Sequence, residues 1–245
     1  IAQLLRHTSG LPEYLAFKEP KTKAGFVTCA DFAPEFARQK DKHDSRFKPG
    51  ERHLYTNSNY MLLALIVERV SKKSFGEFLK EEVLTPAGMS ASWVYESPKS
   101  APNVEVKSAL NAIAYAKKDK NWEPGWGSPP FRNETLLSVG DGGLWSNLDD
   151  LAKFDAAIRG DKLLKPETFK LALARDGVSK SYGFGFALTF ENNTLVGFGH
   201  GGSWVFRTSY HRDIVKDRSI IILSNRDGFP VGRLQGQIEM EWDAR

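Results

Sequence analysis

Two short stretches of this 245-residue chain hold side chains that can do chemistry. The first is Tyr55-Thr56-Asn57, directly ahead of an apolar run at 60–67. A phenol can pass a proton. A carboxamide can orient a ligand, and both stand at the mouth of what the pattern predicts is a buried helix. The plainer role is capping, since Asn57 or Ser58 can accept from the free N–H groups of a first helical turn. A cap needs one such residue, whereas the polar run extends from Tyr55 through Asn59. The second stretch is Gly199-His200-Gly201-Gly202-Ser203, expected at the turn between two strands. Its glycines let another backbone approach closely. Its imidazole can serve as acid, base or orienter near neutral pH. The plainer role there is a tight hairpin with an exposed histidine.

Gly140-Asp141-Gly142-Gly143 offers a third possible site, for an anion or a metal. A single carboxylate makes a poor cation cage, so a loop leading into a helix is expected instead. Gly197, Gly199 and Gly202 satisfy G-x-G-x-x-G, but a dinucleotide fingerprint needs a helix after the glycines. Trp204-Val205-Phe206 reads as strand, which excludes that match. There is no G-x-S-x-G elbow and no H-E-x-x-H. The five histidines show no ligand spacing. The single cysteine, Cys29, excludes an internal disulfide and a cysteine-based metal cluster.

The elements that must position these residues follow from pattern. A helix is expected over 29–40, with Phe32, Phe36 and Ala37 toward the core. A central helix is expected over 57–71. Ser74-Phe75-Gly76-Glu77 is a capping box opening a further helix to 83, ended by Thr85-Pro86-Ala87-Gly88. Residues 93–95 are extended, and 97–137 is loop-rich, with one strand-like run at 112–115 and a Pro-, Gly- and Trp-rich segment at 122–130 that could wall a pocket. Asn147 caps a helix to 158, and Pro166 opens another to 174. Runs at 182–190, 194–200, 204–212 and 219–223 form an antiparallel meander, with 215–218 as a hairpin connection. A last helical pattern at 229–242 can lie across it. Helices followed by strands give an α+β class. The chain divides into a helical, loop-rich lobe over 1–175 and an antiparallel sheet with a C-terminal helix over 176–245.

The bulk numbers allow one large globular domain or two intimately packed ones. Hydrophobic residues make up 41% and charged ones 26%, a folded rather than disordered balance. Net charge is +4 and the basic residues are dispersed, which argues against a nucleic-acid partner. No apolar run is long enough to span a bilayer. Residues 1–7 read as the end of an amphipathic helix without a start signal, so the chain is expected to be part of a longer protein. Compartment and oligomeric state are left open.

Taken in order, these stretches resemble the serine β-lactamase and penicillin-binding superfamily, and within it the class C β-lactamase-related serine hydrolases. Leu4-Leu5-Arg6-His7-Thr8-Ser9-Gly10-Leu11-Pro12 resembles the family's "LLxHTSGLP". Phe47-Lys48-Pro49-Gly50-Glu51 through Tyr55-Thr56-Asn57 resembles "F-x-P-G…Y-[SA]-N". Gly140-Asp141-Gly142-Gly143 with Ser146 and Asp150-Leu151 resembles "GDGG-x-x-S…DL". Tyr182-Gly183-Phe184-Gly185, Gly199-His200-Gly201-Gly202 and Leu223-Ser224-Asn225 follow in their places.

The resemblance implies a β-lactamase/transpeptidase-like α+β fold and acyl transfer through a serine, with no cofactor and no metal. Tyr55 would manage the proton beside a lysine, whose charge favours phenolate. Asn57 would hydrogen-bond that lysine or the substrate amide. His200 stands where many members carry the Lys of K-T-G, which leans away from β-lactamase activity and toward esterase or peptidase activity. Gly201, Gly202 and Ser203 would lie along a small-molecule or short-peptide substrate, with the Ser203 N–H in the oxyanion hole. Asn225 would touch the substrate.

Two departures stand out. The only S-x-x-K, Ser45-Arg46-Phe47-Lys48, runs into Pro49, which biases Lys48 out of helix, so the nucleophile and first strands are expected outside this chain. Trp204-Val205-Phe206-Arg207 is one residue shorter than the family's usual run. The alternative function is a non-catalytic, β-lactamase-like module that binds peptides or assembles with partners.

Overall fold

A computed structural model describes residues 1–18, 20–23, 26–39, 47–97, 112–124 and 136–244. The chain opens on one helical turn, α1 (Ala2–Leu5), and a 3-10 turn at Tyr14–Ala16. β1 (Val27–Thr28) leads into α2 (Cys29–Gln39), followed by α3 (Asn57–Ser71). The capping box at Ser74 and Glu77 is present and opens α4 (Phe75–Leu79). The helix does not stop near 83. It widens into a π-turn (Lys80–Leu84) and continues as α5 (Thr85–Ala87) to Gly88, a left-handed C-cap with φ +75°. Pro86 has no N–H to donate back into the preceding turn, which is the wide one at Lys80–Leu84.

Short strands knit the loop-rich middle. β2 (Trp93–Val94) pairs antiparallel with β6 (Leu144–Trp145), and Trp93 stacks on Trp145 at 5.6 Å. β3 (Tyr115–Lys118) pairs with β4 (Asn121–Pro124), and β1 pairs parallel with β5 (Leu136–Leu137). The strand expected at 112–115 thus begins only at Tyr115. Residues 125–130 of the Pro- and Trp-rich segment, and Ser45-Arg46, lie outside the described residues. The Gly140–Gly143 loop feeds strand β6 rather than a helix. α6 (Leu148–Arg159) follows, with Asn147 Oδ1 accepting from Asp150 N at 2.9 Å as its cap, and then α7 (Pro166–Ala172).

The last third is a four-stranded antiparallel meander, β7 (Ala187–Glu191), β8 (Thr194–Ser203), β9 (Arg207–Asp213) and β10 (Arg218–Ser224), in the order β10-β9-β8-β7. α8 (Val231–Asp243) packs on β9 and β10, and α6 also contacts β10. No helix among the described residues is long and apolar enough to cross a membrane.

The glycine stretch at 199–203 is strand, not turn. The turn is Trp204-Val205-Phe206, with Trp204 N donating to Phe206 O at 3.1 Å. The glycines serve cross-strand packing, because a Cβ on Gly199 would sit 2.1 Å from the Tyr210 carbonyl oxygen. The short connection causes no slip. β8 and β9 stay in register from Gly197↔Asp213 to Ser203↔Arg207.

The helical core gathers Tyr14, Val27, Cys29, Phe32, Met61, Ala64, Val94 and Val139. Phe36 packs against it, while Ala37 is exposed, since five residues after Phe32 the helix has turned away from its buried face. α3 is less enclosed than its apolar run predicts. Met61 and Ala64 are buried, whereas Val70 is 80% exposed. Gly140 lets the following loop lie on α3. It has φ +89°, and a Cβ there would fall 2.3 Å from the Tyr60 carbonyl oxygen.

Candidate active site

The segment carrying His7 is zipped to the segment carrying Tyr55. Gly50 N donates to Thr8 O at 2.7 Å, and Leu54 N donates to His7 O at 2.8 Å. These bonds bring the His7 ring, itself fully buried, under Tyr55 with centroids 4.1 Å apart. Thr56 N and Asn59 Nδ2 both lie on His7 Nδ1, at 3.3 and 3.0 Å. Both are donors, so Nδ1 is the bare nitrogen and the ring hydrogen sits on Nε2. Ser9 Oγ donates to Asn59 Oδ1 at 2.5 Å and completes the chain. His7 is held neutral, its pKa lowered to about 4 by burial and by the neighbouring His53 and His200.

Tyr55 and His200 come together with ring centroids 6.2 Å apart. Tyr182 closes the group, 6.1 Å from Tyr55 and 4.7 Å from His7. His200 Nδ1 lies 2.8 Å from Gly201 O and Nε2 lies 3.0 Å from the Tyr182 hydroxyl. A carbonyl oxygen only accepts, so Nδ1 carries the hydrogen and Nε2 accepts from Tyr182. Desolvation lowers the His200 pKa, which keeps this ring neutral, with both nitrogens engaged.

Tyr55 is 47% exposed, and among the described residues no hydrogen bond holds its hydroxyl. Its pKa is raised, first by desolvation and then by the carboxylates of Asp141 and Glu13. The charges acting on it here thus oppose phenolate. Asp141 is itself unusual. Its carboxyl accepts from Tyr14 Oη at 2.8 Å and from Ser138 Oγ, and burial pushes its pKa up to about 6.

Asn57 does not cap α3 with its side chain, and neither does Ser58. Thr56 is the N-cap and makes no side-chain cap bond. Ser58 Oγ accepts from Tyr14 N at 2.8 Å and donates to Pro12 O at 2.6 Å. The helix is capped from outside by Glu13, which accepts from Asn57 N at 2.9 Å and Asn57 Nδ2 at 3.1 Å.

Gly201, Gly202 and Ser203 form the end of β8. β7 pairs with β8 only as far as Ala187↔Gly199. Among the described residues, no strand covers the other edge of 200–203. An extended ligand could add there by strand pairing. Ser203 Oγ accepts from Arg207, whose other nitrogen bonds Asp227 at 3.0 Å. Asn225 is employed differently. Its Nδ2 donates to Ile113 O at 2.8 Å and its main-chain carbonyl accepts from Tyr115 N at 2.8 Å. No contact joins it to Tyr55 or His200 among the described residues. His7, Glu13 and Tyr182 are the residues that sequence reasoning passed over. All stand in or beside the stretches that carry the resemblance, which was the available signal.

The Beta-lactamase family model matches residues 1–239, and the chain belongs to that family. It is 29% identical over 240 residues to a penicillin-binding protein of Bacillus subtilis (strain 168), covering 93% of this chain and 51% of that one. It is 28% identical over 217 residues to the D-aminopeptidase of Brucella anthropi, covering 83% and 37%. The penicillin-binding protein from Bacillus halodurans superposes with TM-score 0.79 at 22% identity, covering 97% of this chain and 71% of that one. The D-amino acid amidase from Ochrobactrum anthropi gives 0.69 at 19%, covering 92% and 64%. Those superpositions establish the β-lactamase/transpeptidase-like fold. The chain spans 51% or less of the first curated relatives it matches.

Proposed function

We propose that the whole protein is a serine hydrolase that cleaves an amide or ester through an acyl-serine. The observation that carries this is the pairing of the Tyr55 phenol with the open-edged strand of His200, at 6.2 Å, with Asn57 held alongside. In this reading a substrate lies along residues 200–203 of β8, and the Ser203 N–H stabilises the developing oxyanion. Tyr55 passes the proton between the nucleophile and the leaving group. A lysine beside Tyr55 would offset the carboxylates that now raise its pKa. His200, neutral and bonded through both nitrogens, acts as orienter rather than as free base.

The nucleophile in this proposal is not among the 245 residues. Lys48 precedes Pro49 and is unsuited to stand one helical turn after a serine. The 245 residues alone are expected to show no turnover. Relatives called D-aminopeptidase and D-amino acid amidase support amides of D-amino acids as first substrates.

The test is hydrolysis by the whole protein of a D-amino acid p-nitroanilide, a p-nitrophenyl ester and a chromogenic cephalosporin. Turnover of ester or amide well ahead of the cephalosporin is expected. Binding of a D-amino acid amide without turnover of any of the three would point instead to a non-catalytic binding module.

A further inference from the structure

The first turn of α3 has a serviceable cap residue of its own and does not use it. Thr56 is well suited to accept from the turn. Its hydroxyl instead donates to Glu13 Oε2 at 3.3 Å. The same oxygen takes Asn57 N at 2.9 Å and Asn57 Nδ2 at 3.1 Å. A local cap would have satisfied the backbone alone. The carboxylate satisfies the backbone and also grips the Asn57 side chain, and its charge suits the positive end of the helix.

A carboxylate can only accept, so the Asn57 NH2 must face Glu13. The carbonyl oxygen of the amide is then turned away from Glu13, and among the described residues nothing donates to it. Main chain and side chain of Asn57 are bound to one atom, which ties the rotamer as well as the amide orientation.

We propose that Glu13 is a positioning residue: its carboxylate fixes Asn57 so that Oδ1 is presented to the site as an acceptor. This rests on the reading that Asn57 works in acyl transfer. The partner that fits Oδ1 is a donor, either an ammonium or a substrate amide N–H. With the amide reversed, Asn57 would turn its NH2 toward that donor and repel it.

The experiment uses asparagine labelled with 15N. The Asn57 side-chain NH2 signal is expected to move in Glu13→Ala relative to the parent protein, because the acceptor at 3.1 Å is gone. A signal unmoved by the loss of the Glu13 carboxylate would overturn the proposal, whatever the protein's activity.

In the whole protein, Glu13→Ala is expected to lower kcat by roughly 10- to 100-fold, as for a misplaced catalytic group, with a smaller change in KM. Glu13→Leu fills much of the same space without an acceptor and serves if Glu13→Ala does not fold. An unchanged kcat in a folded variant would mean that Glu13 only caps the helix, and the proposal falls. If the parent enzyme proves inactive while the Asn57 signal still follows Glu13, the functional reading fails and the positioning role stands.

Discussion

His7 lies beneath Tyr55 with ring centroids 4.1 Å apart and planes inclined by 33°. The buried ring forms the floor on which the phenol rests, and its Nδ1 binds Thr56 N, the backbone next to Tyr55. Replacing it leaves a cavity and strands the donors of Thr56 and Asn59. His7→Ala is expected to destabilise the fold by about 3 kcal/mol in urea titrations.

The same ring predicts an acid-side loss of stability. The folded pKa of His7, about 4, lies below the ordinary histidine value of 6.5. The unfolded chain therefore binds the proton first as pH falls. Stability is undiminished above 6.5, declines by up to about 1.4 kcal/mol per unit toward pH 4 and levels below it, about 3 kcal/mol in all. Urea midpoints of the parent and of His7→Gln between pH 4 and 7 check this, and the slope should shrink in the variant.

Asp141 works in the opposite sense. Its folded pKa, about 6, lies above the ordinary aspartate value of 3.8, so ionisation costs the fold stability as pH rises between those values. Asp141→Asn can keep one hydroxyl as donor and offer its NH2 to the other. Relative to the parent, it should gain about 2–3 kcal/mol as pH rises from 4 to 7, measured by the same titrations.

Gly140→Ala should be severe. The left-handed φ of +89° disfavours a side chain, and the new Cβ would fall 2.3 Å from the Tyr60 carbonyl. A loss of about 2–4 kcal/mol is expected. Gly142→Ala, whose Cβ meets open space and whose φ is not in that region, is the control and should cost little.

The two site histidines should differ in tautomer. His200 is expected to carry its hydrogen on Nδ1, and His7 on Nε2. Long-range 1H–15N spectra at pH 7 distinguish them directly.

Much of this was legible from local pattern. α3 begins at Asn57, within the polar run, and ends at Ser71 as the pattern predicts, and the capping box at Ser74 and Glu77 is formed. The glycines at 199–202 misled, because glycine marks both turns and close strand approach, and only the partner strand decides which. The true cap of α3 was out of reach for a similar reason. Glu13 lies 44 residues before Asn57, and only tertiary folding brings them together. The partner of His200 Nε2 was out of reach too, since Tyr182 lies 18 residues away. Tyr55 and His200 were legible as separate candidates, and their meeting followed from the family resemblance rather than from either stretch.

The most direct test of the central claim is intact-mass measurement of the whole protein, quenched during reaction with a slowly hydrolysed ester. One acyl group on one serine is expected, and Tyr55→Phe should slow its accumulation by about 100-fold or more. Acylation at an undiminished rate in Tyr55→Phe, or none in the parent protein, would contradict the account.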